Sequence, residues 1–198
     1  MFKPWSVFFV ALALVACSQP APVQSGDWQI RASLSDVSFV SVKNGNVVEV
    51  SRFERFRGGI SETGAIQLTI MTESVETYVD DRNFRLQDIF FLTPEFPQIT
   101  VSAQVDPVAF DDLTTGEPMT MTLPLAVAFS GEVREAWADI RITRLAENRV
   151  SVTSIEPVLV DIRDFGLDER LDALRASVNL NSITPVIPVS VHLVLERS

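Results

Sequence analysis

Met119-Thr120-Met121-Thr122-Leu123-Pro124-Leu125-Ala126-Val127-Ala128-Phe129 is the stretch on which the fold turns. Met119, Met121, Leu123, Leu125, Val127 and Phe129 recur at spacing two, with small or polar residues between them. Only an extended chain places every second side chain on one face, so this is a strand with one buried side. Pro124 removes a ladder donor from it, which predicts an edge position or a bulge.

The same alternation runs outward in both directions. Trp28, Ile30, Ala32 and Leu34 alternate with polar residues, as do Ile66, Leu68 and Ile70, and then Ile99, Val101, Ala103 and Val105. Downstream, Ile140 and Ile142, Val150 and Val152, then Val158, Val160 and Ile162 continue it, and Val189, Val191, Leu193 and Leu195 end it. Asn44-Gly45-Asn46, Gly58-Gly59, Glu62-Thr63-Gly64, Thr114-Thr115-Gly116-Glu117 and Glu147-Asn148 supply turn chemistry between the runs. Roughly eight or nine strands so spaced predict an all-β domain, one antiparallel barrel or sandwich. Two stretches break the rhythm. Leu167, Leu171, Leu174 and Val178 stand at helical spacing among charged residues, predicting a short amphipathic helix over one mouth or side of the barrel. The stretch from Thr77 to Pro97 fits neither period and reads as a long connection whose phenylalanines must be buried somewhere.

Composition narrows the chemistry. The chain has 198 residues, with 26 Asp and Glu against 16 Lys and Arg, for a net charge of −10. That balance argues against a nucleic-acid partner, since phosphate binding needs a basic stripe. One cysteine and one histidine exclude a structural zinc site and a disulfide framework. His192, between Val191 and Leu193, falls on the face opposite the apolar residues of the last strand and reads as a solvent-facing histidine. No Gly-x-Ser-x-Gly elbow occurs, and Phe56-Arg57-Gly58-Gly59-Ile60 lacks the spacing of a phosphate loop. Asp161, Asp164 and Asp168, or Asp111, Asp112 and Glu117, lack the ligand spacing of a known calcium loop. No catalytic residue, metal site or cofactor is expected.

The opening Met1-Phe2-Lys3-Pro4-Trp5 leads into an apolar run ending at Ala16, too short to span a bilayer and suited to a signal peptide over residues 1–16. The only cysteine follows at once, and Leu14-Val15-Ala16-Cys17 resembles the bacterial lipobox, whose cysteine is acylated. Several acyl chains on Cys17 would anchor the chain stably where one is marginal. Residues 17–26 then form a polar, proline-bearing tether, and residues 27–198 the folded domain. The lipobox resemblance, with Ser18 after the cysteine, implies the periplasmic side of a bacterial envelope and an outer-membrane anchor, the inner membrane being the other destination.

The domain itself resembles the YceI-like family of periplasmic isoprenoid- and lipid-binding proteins. One block that carries this is Val37-Ser38-Phe39-Val40 with Phe53-Glu54-Arg55-Phe56-Arg57-Gly58-Gly59-Ile60. Another is Ser74-Val75-Glu76-Thr77, Arg82, Leu86, Phe90-Phe91 and Pro97-Gln98-Ile99-Thr100, with a weaker match at Asp164-Phe165-Gly166-Leu167. Asn83 stands where the family has Asp, and Arg85 where it has His. The resemblance implies an extended eight-stranded, lipocalin-like antiparallel barrel holding a long apolar chain. The expected partners are a long-chain isoprenoid or fatty lipid and the membrane holding Cys17, with a homodimer left open. The ligand would be an isoprenoid quinone, a polyprenyl lipid or a fatty amide. It would lie against Phe39, Ile66, Leu68, Ile70, Ile99 and Val101, and along Met119, Met121, Leu123, Leu125, Val127 and Phe129. Phe84, Phe90 and Phe91 would gate the mouth, with Arg82 or Arg85 near a polar head group. The rival reading is a barrel of the same topology with a filled core, acting as an interaction or structural module. Alternation alone does not separate a filled interior from a hollow one.

Overall fold

A computed structural model of the chain describes residues 28–108 and 113–197. The expected signal peptide, the tether with Cys17, and the pair Asp111 and Asp112 lie outside the described residues.

The alternating runs become eight antiparallel strands, four of them interrupted once. Strand β1 comprises Trp28–Ile30 and Asp36–Lys43, with a single 3-10 turn between, and β2 comprises Val47–Phe53 and Phe56–Ile60. Strand β3 is Ala65–Met71 continued by Val75–Glu76, β4 is Gln98–Gln104 and β5 is Pro118–Phe129. Strand β6 is Glu132–Ala146, β7 is Arg149–Ser154 with Val158–Asp161, and β8 is Val186–Arg197. Each strand pairs with its neighbours in sequence, and β8 closes the ring onto β1 through Ile30 opposite Leu195 and Val37 opposite Val191. Closure pairs the first strand with the last and so removes the terminal edges at which β proteins aggregate. It also sets the diameter: eight strands enclose a space wide enough for side chains or for one slender ligand.

Meander topology sends alternate connections to opposite ends. The 44–46 turn, the 77–97 connection, the Ser130-Gly131 turn and the segment after β7 meet at one end, the mouth. The 61–64 turn, the β4–β5 connection and the start of β1 lie at the other, the floor.

Three expectations are corrected here. The 77–97 stretch is not an irregular connection: helix α1 (Asp80–Arg85) continues through Leu86–Phe91 with wider π-type turns and stops at Leu92, whose φ is 48°. Gly58-Gly59 is not a turn but the middle of β2, where Gly59 pairs with Gln29 of β1 and Gly58 with Leu68 of β3. Pro124 sits in mid-strand on the outer face of the closed barrel, opposite Trp137, rather than on a terminal edge strand. It is tolerated because the β4–β5 ladder covers only Thr100–Ser102 against Ala126–Ala128, leaving that side of β5 unpaired at Pro124. The second helix, α2 (Asp168–Ser177), forms where its spacing predicts. No helix among the described residues is long and apolar enough to cross a membrane.

Inward side chains gather in two clusters. The one near the floor packs Trp28, Ile60, Ile140, Ile142, Val150 and Leu195, with Ile142 and Val150 fully buried. Near the mouth, Phe53, Phe90, Phe91, Phe129 and Phe165 pack beneath the helices.

Candidate functional site

Between the two clusters the lumen is hollow. Its cavity of about 460 Å³ is walled by inward residues of all eight strands and opens among the mouth elements. That volume falls within the usual range of small-molecule sites, ~300–1,000 Å³.

The wall contains most of the residues singled out from the sequence. Phe39, Ile66, Leu68, Ile70, Ile99 and Val101 line it, as do Leu123, Leu125, Val127 and Phe129 of β5. So do Arg82, Arg85, Phe90 and Phe91 from the helical connection. Three others do not. Met119 and Met121 share the inward face of β5, yet they pack on the floor cluster outside the cavity. β5 is longer than the hollow, and below Leu123 the lumen is filled by residues such as Ile142 and Val150. Phe84 lies on the outer face of α1, 62% exposed, and takes no part in the lining.

Phe90 and Phe91 are buried in a cluster of rings. Phe91 sits 5.7 Å from Phe53, 5.2 Å from Phe90 and 5.9 Å from Phe129, measured between ring centroids. Phe129 in turn meets Phe165 at 5.7 Å. Such edge-on and tilted contacts add about 0.5–1.5 kcal/mol per pair beyond simple burial, so the rings clamp the helical segment to the barrel. Arg170 of α2 ties the cap down further. Its guanidinium donates to the Ser130 hydroxyl at 2.6 Å and to the Phe90 carbonyl at 3.4 Å, and lies 4.9 Å over the Phe96 ring.

Reading along the sequence missed part of the wall: Lys43 at the end of β1, Phe53, Val160 and Val191 on other strands, and Leu171, Leu174 and Val178 from α2 and just beyond it. The helical spacing of the last three was the available signal. Lys43 carried the strand's own signal, since it stands at spacing two from Val37, Phe39 and Ser41, which line the cavity with it.

Polar groups concentrate at the mouth. Lys43, Arg82 and Arg85 are the charged residues of the lining, and no carboxylate or imidazole stands among them. Glu49, adjacent on β2, takes both Lys43 and Arg82, with an Arg82 Nη2 to Glu49 Oε1 distance of 3.0 Å. The start of α1 is fixed by a second network. The Asn83 carboxamide oxygen accepts from the Thr77 backbone N–H at 2.9 Å and hydroxyl at 2.6 Å, and its amino group donates to Glu76 at 3.2 Å. With the Asn83 amide first and the Tyr78 backbone N–H second, these donors hold the Glu76 carboxyl below the usual glutamate range. The rim at the end of β1 is tied down as well, since Asn44 Oδ1 accepts from the Asn181 backbone N–H at 2.8 Å.

Nothing in this arrangement resembles an activated nucleophile. His192 is exposed on the outer face of β8, across from Asp36 and Thr153. Asp161 is engaged by Arg163 at 2.5 Å, and no cluster of metal-ligating side chains occurs among the described residues.

A closed eight-stranded barrel with a hollow apolar axis and a helical cap can now be set beside known proteins. No curated protein sequence matches the chain significantly. Among solved structures, a polyisoprenoid-binding domain from Saccharophagus degradans, implicated in plant cell wall breakdown, is 32% identical over 87% of this chain and 99% of its own, with a TM-score of 0.85. BcnA of Burkholderia cenocepacia is 15% identical over 83% and 98% of the two chains, with a TM-score of 0.60. A Campylobacter jejuni YceI protein is 15% identical over 75% and 84%, with a TM-score of 0.56. The last two similarities speak for the fold alone. The YceI-like domain model matches residues 28–195, the span that forms the barrel, and the chain therefore belongs to the YceI-like family.

Proposed function

We propose that the protein is an envelope lipoprotein whose barrel binds or carries one long-chain amphiphile, an isoprenoid or fatty lipid. The hollow apolar lumen is the observation that carries this reading, and it favours a carrier over a filled-core interaction module. A packed interior has few voids larger than a water molecule, whereas this lumen has room for about fifteen waters at ~30 Å³ each. Emptied, that surface would be exposed to water or vacuum; filled by an alkyl or prenyl chain, it gains about 0.8 kcal/mol per buried methylene. Twelve methylenes would contribute about 10 kcal/mol before the costs of association. An eight-stranded barrel has room for one slender ligand, which suits a single tail. The similarity to the Saccharophagus polyisoprenoid-binding domain supports the same class of ligand.

In this reading Cys17 carries the acyl anchor, on the outer membrane, and the tether of residues 17–26 reaches the barrel beside Trp28 at its floor. The mouth then faces away from the point of attachment. A ten-residue tether extends to about 35 Å, enough for the barrel to tip its mouth toward a membrane. The protein holds and releases a ligand and does no chemistry on it.

The test has two parts. Mass spectrometry of organic extracts from the purified protein, with uptake of a fluorescent fatty or prenyl probe, is expected to give a co-purified lipid and saturable uptake. Absence of both would overturn the carrier role. Labelled palmitate supplied to cells is expected to enter the protein and to be lost in Cys17→Ser; incorporation that persists in the variant would remove the anchor.

A further inference from the structure

The geometry points to an anionic head group, a carboxylate or a phosphate, as the polar end of the bound chain, received at the mouth by Arg85 with Arg82 and Lys43 beside it. This rests on the carrier reading above and specifies its ligand.

Acidic residues outnumber basic ones by 26 to 16 in the whole chain, yet the charged residues of the lumen are all cationic. Lys43 and Arg82 share a single carboxylate, Glu49, whose side chain is 24% exposed. Arg85 follows Arg82 by three residues on α1, so the two stand on neighbouring turns of one face. It is half-buried, and its guanidinium has no hydrogen bond or ion pair among the described residues. Three cations of the lining meet one carboxylate at the edge of an apolar, low-dielectric space, and the exposed Asp81 and Asp88, four residues before and three after Arg85, form no ion pair with it.

A guanidinium does not shed its proton to suit such a place. Something must balance it. An alcohol, amide or quinone oxygen accepts a hydrogen bond but leaves the charge in place. A carboxylate or phosphate meets the planar fork of Arg85 with two oxygens and cancels charge at the same time. The site also suits an anion energetically, because at the mouth the head group keeps part of its water while the tail enters the lumen. The helix carrying Arg85 is itself held in place, by the Asn83 network at its start and by the phenylalanine cluster beyond its end.

Displacement of a fluorescent alkyl probe from the delipidated full-length protein tests this with palmitate, hexadecyl phosphate and hexadecanol, which share one tail. At low salt at least one anion is expected to bind about 10- to 100-fold more tightly than hexadecanol, the range for a charge-assisted pair partly open to water. The better of the two anions identifies the head group. In Arg85→Gln the anion-to-alcohol ratio is expected to fall toward one, and Arg85→Lys to restore part of it. Glu49→Gln, which frees Lys43 and Arg82, is expected to raise the ratio. Hexadecanol binding as tightly as both anions would overturn the inference while leaving the carrier reading intact, and so would a ratio unchanged in Arg85→Gln. Displacement by inorganic phosphate alone would also overturn it, since the site would then recognise a free ion. If none of the three tails binds, the carrier reading fails and takes the inference with it.

Discussion

A Cβ placed on Gly58 would lie 1.9 Å from the Gln67 carbonyl oxygen, a backbone atom of β3 that cannot swing aside. The residue also has φ +151°, a conformation that side chains rarely adopt. Here β2 is paired with β1 on one side and β3 on the other, and a strand glycine permits the close approach of backbones. Gly131, in the two-residue turn between β5 and β6, isolates one of the two effects. Its φ is +87°, but an added Cβ would meet only the Phe96 ring edge at 3.7 Å, an ordinary contact. Urea unfolding should therefore separate them: Gly131→Ala costs about 1–2 kcal/mol, the left-handed backbone alone. Gly58→Ala costs about 2–5 kcal/mol, because overpacking against the neighbouring strand is added to the strain. Equal losses would refute the steric account. The same residue shows why Gly58-Gly59 reads as a turn from sequence: the atom that decides the matter belongs to another strand, and glycine pairs are far commoner in turns.

Among the elements, the strands were the most legible and the helical connection the least. Alternation in β5 and β8 follows directly from the period of an extended chain, and it survives because one face of each strand meets the lumen. In α1 and its continuation no helical period could be read, since Leu86, Phe90 and Phe91 all face inward although Phe90 and Phe91 are adjacent. Wide turns over Leu86–Phe91 shift the angular register and bring both rings onto one side, a device with no sequence signature. Besides the phenylalanine cluster, α2 holds this segment through Arg170, which meets Phe90, Phe96 and Ser130 at once. Truncation in Arg170→Ala leaves the Ser130 hydroxyl and the Phe96 ring without that partner. Hydrogen exchange should then quicken across residues 80–91 and 168–177, with amides in the β6–β7 ladder unaffected, and ligand release should speed up several-fold. The expected loss of global stability is about 1–2 kcal/mol, since hydrogen bonds from a charged donor count for more than neutral ones. Unchanged exchange in the helices would show that the phenylalanine cluster alone secures the cap.

Across the whole molecule, the barrel is a tube closed at one end, and its closed end makes it a ruler for chain length. Trp28 is 3% exposed and packs with Ile60, Ile140, Ile142 and Leu195 at the floor, while Arg197 and Arg144 lie 4.5 and 5.9 Å over its ring. This is also where inward parity stopped being informative. Met121 and Leu123 obey the same alternation, but whether an inward side chain meets ligand or another side chain depends on its height in the barrel, which is set by residues far away in sequence. A tail entering at the mouth can lengthen only until it touches this floor. Across a homologous series of single-chain ligands, affinity should rise about fourfold per methylene, the equivalent of ~0.8 kcal/mol, and then level off. Trp28→Ala should move that plateau to longer chains while costing about 3–5 kcal/mol of stability. Ile142→Val, which should cost only about 0.5–1.5 kcal/mol, gives a milder test of the same floor should Trp28→Ala not fold. If the plateau stays in place when a folded variant has a lowered floor, the tail does not run along the barrel axis, and the length limit must be set at the mouth.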